Sequence, residues 1–286
     1  MAPAVRRALT VTLVVIVFLI LVGATYQGIA TALERRRYPH PGRLVKAGRH
    51  QLHIYCTGEG TPTIVLEAPA TGMSASWGWV QPRLASATRV CSYDRAGLGW
   101  SEWGTTTFDP AAVPVQLHTL LRNAGEKGPY VLAGEGLGAA LAQLTAAAAP
   151  DDIAALVLID PPASVNEPTD LRRMARTATI SPWLARTGVL RVTREFSGPV
   201  VEMPEPSGGA LRTFLARPDH LTRAALELAQ WNDTVALGAA AAIPPSLPVM
   251  TVAVMGHDRV AMLTRRADAE HAAEAILEVV DRLRRP

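Results

Sequence analysis

Few residues in this chain carry side chains able to do covalent or metal chemistry. Seven histidines stand at positions 40, 50, 53, 118, 220, 257 and 271, and the cysteines are Cys56 and Cys91. No CxxC pair and no His/Cys cluster with ligand spacing occurs, so no metal site is expected. His50 and His53 are the closest histidine pair, but three residues apart on a strand they face opposite sides of the sheet. His257 adjoins Asp258 in Gly256-His257-Asp258, where adjacent side chains at a strand end point apart. Ser74, Ser76 and Ser101 lie near the ends of strand-like runs. One further pattern stands out: glycine at alternate positions in Gly134-Glu135-Gly136-Leu137-Gly138, directly after the apolar run Tyr130–Ala133.

The elements that would position these residues follow from composition and periodicity. The chain has 286 residues, 49% hydrophobic and 19% charged, which excludes a disordered chain and a coiled coil. Net charge is only +3. Apart from Lys46 and Lys127 the basic residues are arginines, spread along the chain among acids rather than clustered on one face. A nucleic-acid partner is therefore not expected, nor is a cofactor.

The run from Ala8 to Thr25, preceded by Arg6 and Arg7, is uncharged and about as long as a bilayer span requires. The weakly polar stretch to Ala32 can extend it. Its apolar core exceeds the roughly 7–15 residues of a cleaved signal peptide, which favours an uncleaved anchor over cleavage near Val22-Gly23-Ala24. Arg35–Arg37 form a basic collar on the far side, and the charge rule for orientation is close to a tie. Tyr38–Gly42 reads as a stiff linker. The expected organisation is an anchor over residues 1–37, with residues 8–25 in the lipid bilayer, and a soluble domain over 38–286.

From residue 43 onward, strand-like runs alternate with helical stretches, the pattern of an α/β protein with a mostly parallel sheet. Expected strands are Gln51–Cys56, Thr63–Glu67, Thr88–Tyr93, Tyr130–Ala133, Ala155–Ile159 and Pro248–Val254. Helices are expected near 111–124, 137–149, 168–178, 210–240 and 265–284. Residues 163–247 form a helical insertion between two strands, most simply a lid over the carboxyl ends of the strands, where open α/β sheets bind ligands.

Three segments carry a family resemblance: Leu52–Gly58, Ile64–Ala68, and Arg89–Ser101 with its Tyr93-Asp94-Arg95-Ala96-Gly97-Leu98-Gly99-Trp100-Ser101 turn. They resemble the α/β-hydrolase superfamily, and more narrowly its membrane-anchored bacterial members. The resemblance implies a sheet flanked by helices, and a nucleophile on a sharp strand-to-helix turn of pattern G-x-S-x-G. Here the flanking Gly134 and Gly138 are in place, but Gly136 holds the nucleophile position. Glu135 sits one residue early and is expected to be a solvated or salt-bridged surface acid rather than a substitute.

Other parts of the implied machinery are altered as well. Pro69, in Ala68-Pro69-Ala70-Thr71-Gly72, has no N–H to give an oxyanion hole, although Ala70 does. Asp258 falls where the family places its triad acid, but only about six residues separate it from the start of the expected final helix, which leaves no room for a further strand bearing a catalytic histidine. His118 and His271 lie on helices. The pattern is that of a catalytically degenerate member, a pseudo-hydrolase.

The resemblance also places the strands bearing Cys56 and Cys91 side by side and antiparallel. A disulfide between them is the preferred expectation over two buried thiols, and it implies an oxidising compartment. The sequence thus suggests a single-pass cell-membrane protein with a cytoplasmic amino terminus and an extracytoplasmic domain. Its expected role is that of an accessory or scaffolding subunit for another membrane or envelope protein. The alternatives are an ester hydrolase with displaced catalytic residues and a carrier of an apolar ligand.

Overall fold

In the computed structural model, residues 3–162, 179–193, 200, 202–254 and 263–285 are described. Helix α1 (Pro3–Arg37) is followed by strands β1 (Arg43–Ala47), β2 (His50–Thr57) and β3 (Thr63–Glu67). Next come α2 (Val80–Ala85), β4 (Val90–Tyr93), α3 (Ala112–Ala124), β5 (Tyr130–Glu135), α4 (Leu137–Ala148) and β6 (Ile153–Ile159). The insertion contributes α5 (179–186), α6 (Val189–Thr193), α7 (Ser207–Phe214), α8 (Pro218–Ala229) and α9 (Trp231–Ala239). Strand β7 (Val249–Val252) and α10 (Arg266–Arg284) complete the chain. The expected helix at 168–178 lies outside the described residues.

The sheet has seven strands in the order β1-β2-β4-β3-β5-β6-β7. The β1–β2 and β2–β4 pairs are antiparallel, and the other pairs are parallel. Buried parallel strands need apolar side chains on both faces, and β3 is buried along its whole length. One face packs Leu52, Tyr93, Leu132 and Leu156 with Leu117 and Leu120 of α3. The other packs Leu66, Val131, Val157 and Ile159 against Trp77, Leu84 and the Ala272, Ile276 and Val280 stripe of α10.

Strand β1 was not expected from the sequence. Only Ala47 of its five residues is buried, so its pattern lacks the apolar alternation that marks a half-buried strand. The region expected as one helical stretch over 210–240 is instead three helices. The breaks coincide with Arg217-Pro218, where proline opens α8, and with Gln230 between α8 and α9.

Helix α1 has 35 residues, more than the apolar run alone, and is long and apolar enough to cross a bilayer. Its carboxyl-terminal part does not stand free of the domain. Gln27 is buried and donates from Nε2 to the Ala216 carbonyl at 3.0 Å. Arg191 of α6 donates to Gln27 Oε1 at 3.0 Å and pairs with Glu34. The linker after it is strapped down too: Trp100 Nε1 donates to the Tyr38 carbonyl at 3.2 Å, and the Gly42 amide to His53 Nε2 at 3.2 Å.

Cys56 and Cys91 are directly opposed in the β2–β4 register and form a disulfide. It closes a loop of 35 residues, a length for which loss of a crosslink typically costs about 2–4 kcal/mol. The double variant Cys56→Ala/Cys91→Ala is expected to lose that much in urea unfolding. Reductant should lower the parent's midpoint and leave the variant's unchanged.

Candidate active site

The turn from β5 into α4 has the backbone of a nucleophile elbow. Gly136 caps α4 with φ 55° and ψ −118°, a conformation that strains residues bearing a side chain. Its flanking glycines are there for space. A Cβ on Gly134 would lie 2.3 Å from the Gly138 carbonyl oxygen, and one on Gly138 would lie 2.4 Å from that of Glu67. At Gly136, by contrast, a Cβ would meet no described atom within 4 Å. The structure thus places Gly134, Gly136 and Gly138 together as one tight turn, and only its tip has room for a side chain.

Glu135 is not the surface acid expected from the sequence. It is buried and faces the α10 side of the sheet, where it accepts a hydrogen bond from the Leu263 amide. Its Oε2 has no hydrogen-bond partner among the described residues. Burial, with a smaller contribution from nearby Asp160, pushes its carboxyl up to about 8. The sequence could not reveal this, because Leu263 lies more than 120 positions away.

Two buried histidines sit near the strand ends, and neither is free to act as a base. His53 Nδ1 lies 3.0 Å from Asp94 Oδ2 and 3.3 Å from Ser74 Oγ. These are the residue types of a hydrolytic triad, but the arrangement is wrong for one. An amide N–H can only donate, so Nε2, which faces Gly42 N–H, must accept. The proton is therefore on Nδ1, where serine and aspartate converge, and no lone pair faces the serine. A working triad places the serine and the acid on opposite ring nitrogens.

Asp94 also accepts from the Ser74 amide at 2.6 Å and the Trp100 amide at 2.8 Å. Burial would raise its carboxyl, but His53 and these two amides outweigh that and hold it below the usual carboxylate range. His220 of α8 is locked in the same manner. It accepts from the Gly99 amide at 3.1 Å and lies 3.0 Å from the Thr71 carbonyl. Burial lowers its pKa from the ordinary histidine value. Thr71 is one of two non-glycine residues with positive φ among the described residues, at 64°, so His220 holds a strained loop in place. Ring contacts from His53 through Trp100 and Phe214 to His220 join the two networks across the lid boundary.

The loop after β3 is fixed by Arg95. Its guanidinium binds Glu67 Oε1 at 2.7 Å and both carboxylate oxygens of Glu227 on α8, at 2.8 and 2.7 Å. It also donates to the Ala68 and Pro69 carbonyls at 2.7 and 2.9 Å. In a trans peptide the N–H points opposite to the carbonyl. The Ala70 amide, the donor that Pro69 cannot supply, is thereby turned away from Arg95. Tyr93 donates to the second oxygen of Glu67. Burial raises the Glu67 carboxyl despite the adjacent Arg95.

His118 is exposed and lies 3.3 Å from Asp152, and His271 is exposed on α10. His257 and Asp258, the vestigial acid candidate, lie outside the described residues. His53, His220, Asp94 and Ser74 were not singled out as a group by the sequence. The only signal was the Tyr93–Ser101 turn, which contains Asp94 and Arg95.

The alpha/beta hydrolase family model matches residues 64–284. The chain belongs to that family. Among curated relatives, the lipase LipV of Mycobacterium tuberculosis is 40% identical over 77 residues, 27% of this chain and 29% of LipV. An uncharacterised protein of Schizosaccharomyces pombe is 34% identical over 84 residues, 28% of this chain and 15% of that protein. These matches cover less than a third of either relative's own length. Solved structures with the same fold include the epoxide hydrolase CorEH, at TM-score 0.64 and 18% identity over 85% of this chain and 99% of that one. A thermophilic esterase from Thermogutta terrifontis superposes at TM-score 0.60 and 20% identity, over 85% and 98%.

Two outcomes follow. Arg95→Met removes the cation and leaves the Glu67 and Glu227 carboxyls facing each other in the core. Breaking a buried pair this way costs about 3–5 kcal/mol, to be read in chemical denaturation, and Glu67→Gln should cost less. Glu135 titrates near 4.5 when unfolded and near 8 when folded. Its contribution to stability is therefore full below 4.5, falls as pH rises, and levels off above 8. Glu135→Gln should unfold at higher temperature than the parent at pH 9, with the gap closing toward pH 5.

Proposed function

We propose that this member of the family binds a ligand rather than hydrolysing one, from an anchored position on the extracytoplasmic face of the cell membrane. The observation that carries this reading is Gly136: the elbow keeps its backbone and its space but has no attacking atom. The locked proton positions of His53 and His220 support it, since neither ring offers a lone pair to activate a serine. The disulfide supports an oxidising compartment, and the apolar helix α1 supports anchorage.

The ligand is a small apolar molecule. A cavity of about 430 Å³ lies between the linker and α7; Pro39, Trp77, Trp100 and Pro204 make most of its wall apolar, and Arg37, His40, Glu205 and Ser207 are among the polar residues that also line it. That is within the usual size range for small-molecule sites, and apolar and aromatic walls with few polar groups are their usual make-up. An accessory role toward another envelope protein is the other form a binding function could take.

Hydrolysis is the second reading, favoured by the lipase among the curated relatives and by the open space at Gly136. A fluorophosphonate probe applied to the folded full chain in detergent separates the two. No labelling is expected. Labelling that disappears on denaturation would establish an activated serine and overturn the binding reading. In parallel, acyl lipids are expected to raise the thermal midpoint, and Ser207→Phe, at the cavity rim, should abolish that rise.

A further inference from the structure

The lid helices α5 and α6 carry an apolar surface whose position is set by the anchor helix. Ile180, Trp183, Val189 and Val192 are exposed by 58, 70, 45 and 71%, an unusual concentration on so short a segment of a water-facing surface. The turn between the two helices touches α1 backbone to backbone. A Cβ on Gly23 would fall 2.0 Å from the Thr187 carbonyl oxygen, and one on Gly188 would fall 3.1 Å from that of Gly23. Only glycines permit this approach, and it fixes the level of the turn along α1.

That level is inside the bilayer if α1 spans it, so the inference rests on the anchor reading. Arg6 and Arg7 mark one end of the apolar run. A hydrocarbon core of about 30 Å takes about 20 helical residues at roughly 1.5 Å each. A span starting at Ala8 thus reaches Gln27, and Gly23 lies about 6 Å inside the far edge of the hydrocarbon. The lid side of α1 carries Gly23, Gln27 and Glu34, with Arg191 bound to the last two. Its opposite side stays apolar and exposed through Ile29 and Leu33. Arg186 stacks its guanidinium 5.0 Å over the Trp183 ring, and tryptophan beside arginine suits the headgroup boundary.

We propose that α5 and α6 form an interfacial element of the lid, seated in the leaflet next to the domain, with the lipid bilayer itself as the partner. A protein covering the same residues would have to enter the leaflet at the depth Gly23 sets, about 6 Å inside the hydrocarbon edge.

Both native cysteines are in the disulfide, so a single introduced cysteine can carry an environment-sensitive fluorophore. Trp183→Cys and Val192→Cys would be labelled in the full chain. Each protein is reconstituted in phosphatidylcholine–phosphatidylglycerol vesicles, with and without lipids carrying a nitroxide high on the acyl chain. Val115→Cys on α3, 67% exposed, is the aqueous reference, and Leu13→Cys reads the anchor. Blue-shifted, nitroxide-quenched emission at 183 and 192 but not at 115 is expected. If 183 and 192 behave as 115 does, the lid seating is wrong, and quenching at 13 would show the anchor reading to survive it. Quenching at 183 and 192 without quenching at 13 would show lipid contact but overturn the anchor, and with it the seating whose depth α1 sets.

Discussion

A single buried cation organises the mouth of this domain. Arg95 is enclosed with Glu67 and Glu227, and each of its partners belongs to a different element: β3, the loop after it, and lid helix α8. Charges removed from water are tolerated only when paired and fully hydrogen-bonded, so the guanidinium forces those three elements into one arrangement. Its neighbour Asp94 does the same on the other side of the turn, collecting His53 and the amides of Ser74 and Trp100. One dipeptide therefore sets both the loop beside the elbow and the docking of the lid.

The elbow keeps the geometry of a tight strand-to-helix crossing with glycine at its tip. Gly134 and Gly138 are constrained by contacts that any residue at the tip would still require, because strand and helix cross at backbone distance. Gly136 is under no such steric demand. Glycine there relieves the strain of a left-handed φ, which other residues would store at a cost of about 1–3 kcal/mol. The turn persists because packing holds it, independently of whether it presents a nucleophile.

Helix α1, the linker and the inserted helices are coupled in the same physical manner. Gly23 and Gly188 permit a close helix-to-turn crossing, Arg191 donates to Gln27 at its edge, and Trp100 ties the linker to the β4 turn. Alongside these contacts, the disulfide staples the antiparallel β2–β4 pair that carries His53 and Asp94. The region around the cavity is thus built from segments distant in sequence, and its position relative to α1 is not left to a flexible tether.

Much of the architecture could be read from residue order. Continuous apolar runs such as Ile64–Leu66 and Leu156–Ile159 announce buried parallel strands, Gly134-x-Gly136-x-Gly138 announces a tight strand-to-helix crossing, and the uncharged run after Arg7 announces a long apolar helix. These are local statements, carried by side-chain type and period. The pairing of Cys56 with Cys91 needed the family's strand order as well. What residue order could not convey is environment. Glu135 looks like any surface acid until the fold buries it beside the Leu263 amide, and its carboxyl is then raised because water is removed. The proton positions on His53 and His220 depend on amides of Gly42 and Gly99, contributed by other segments. Strand β1, with one buried residue in five, exists only because β2 offers it a free edge. Periodicity reports which residues avoid water, whereas protonation and docking depend on which distant groups arrive beside them, and only the tertiary structure decides that.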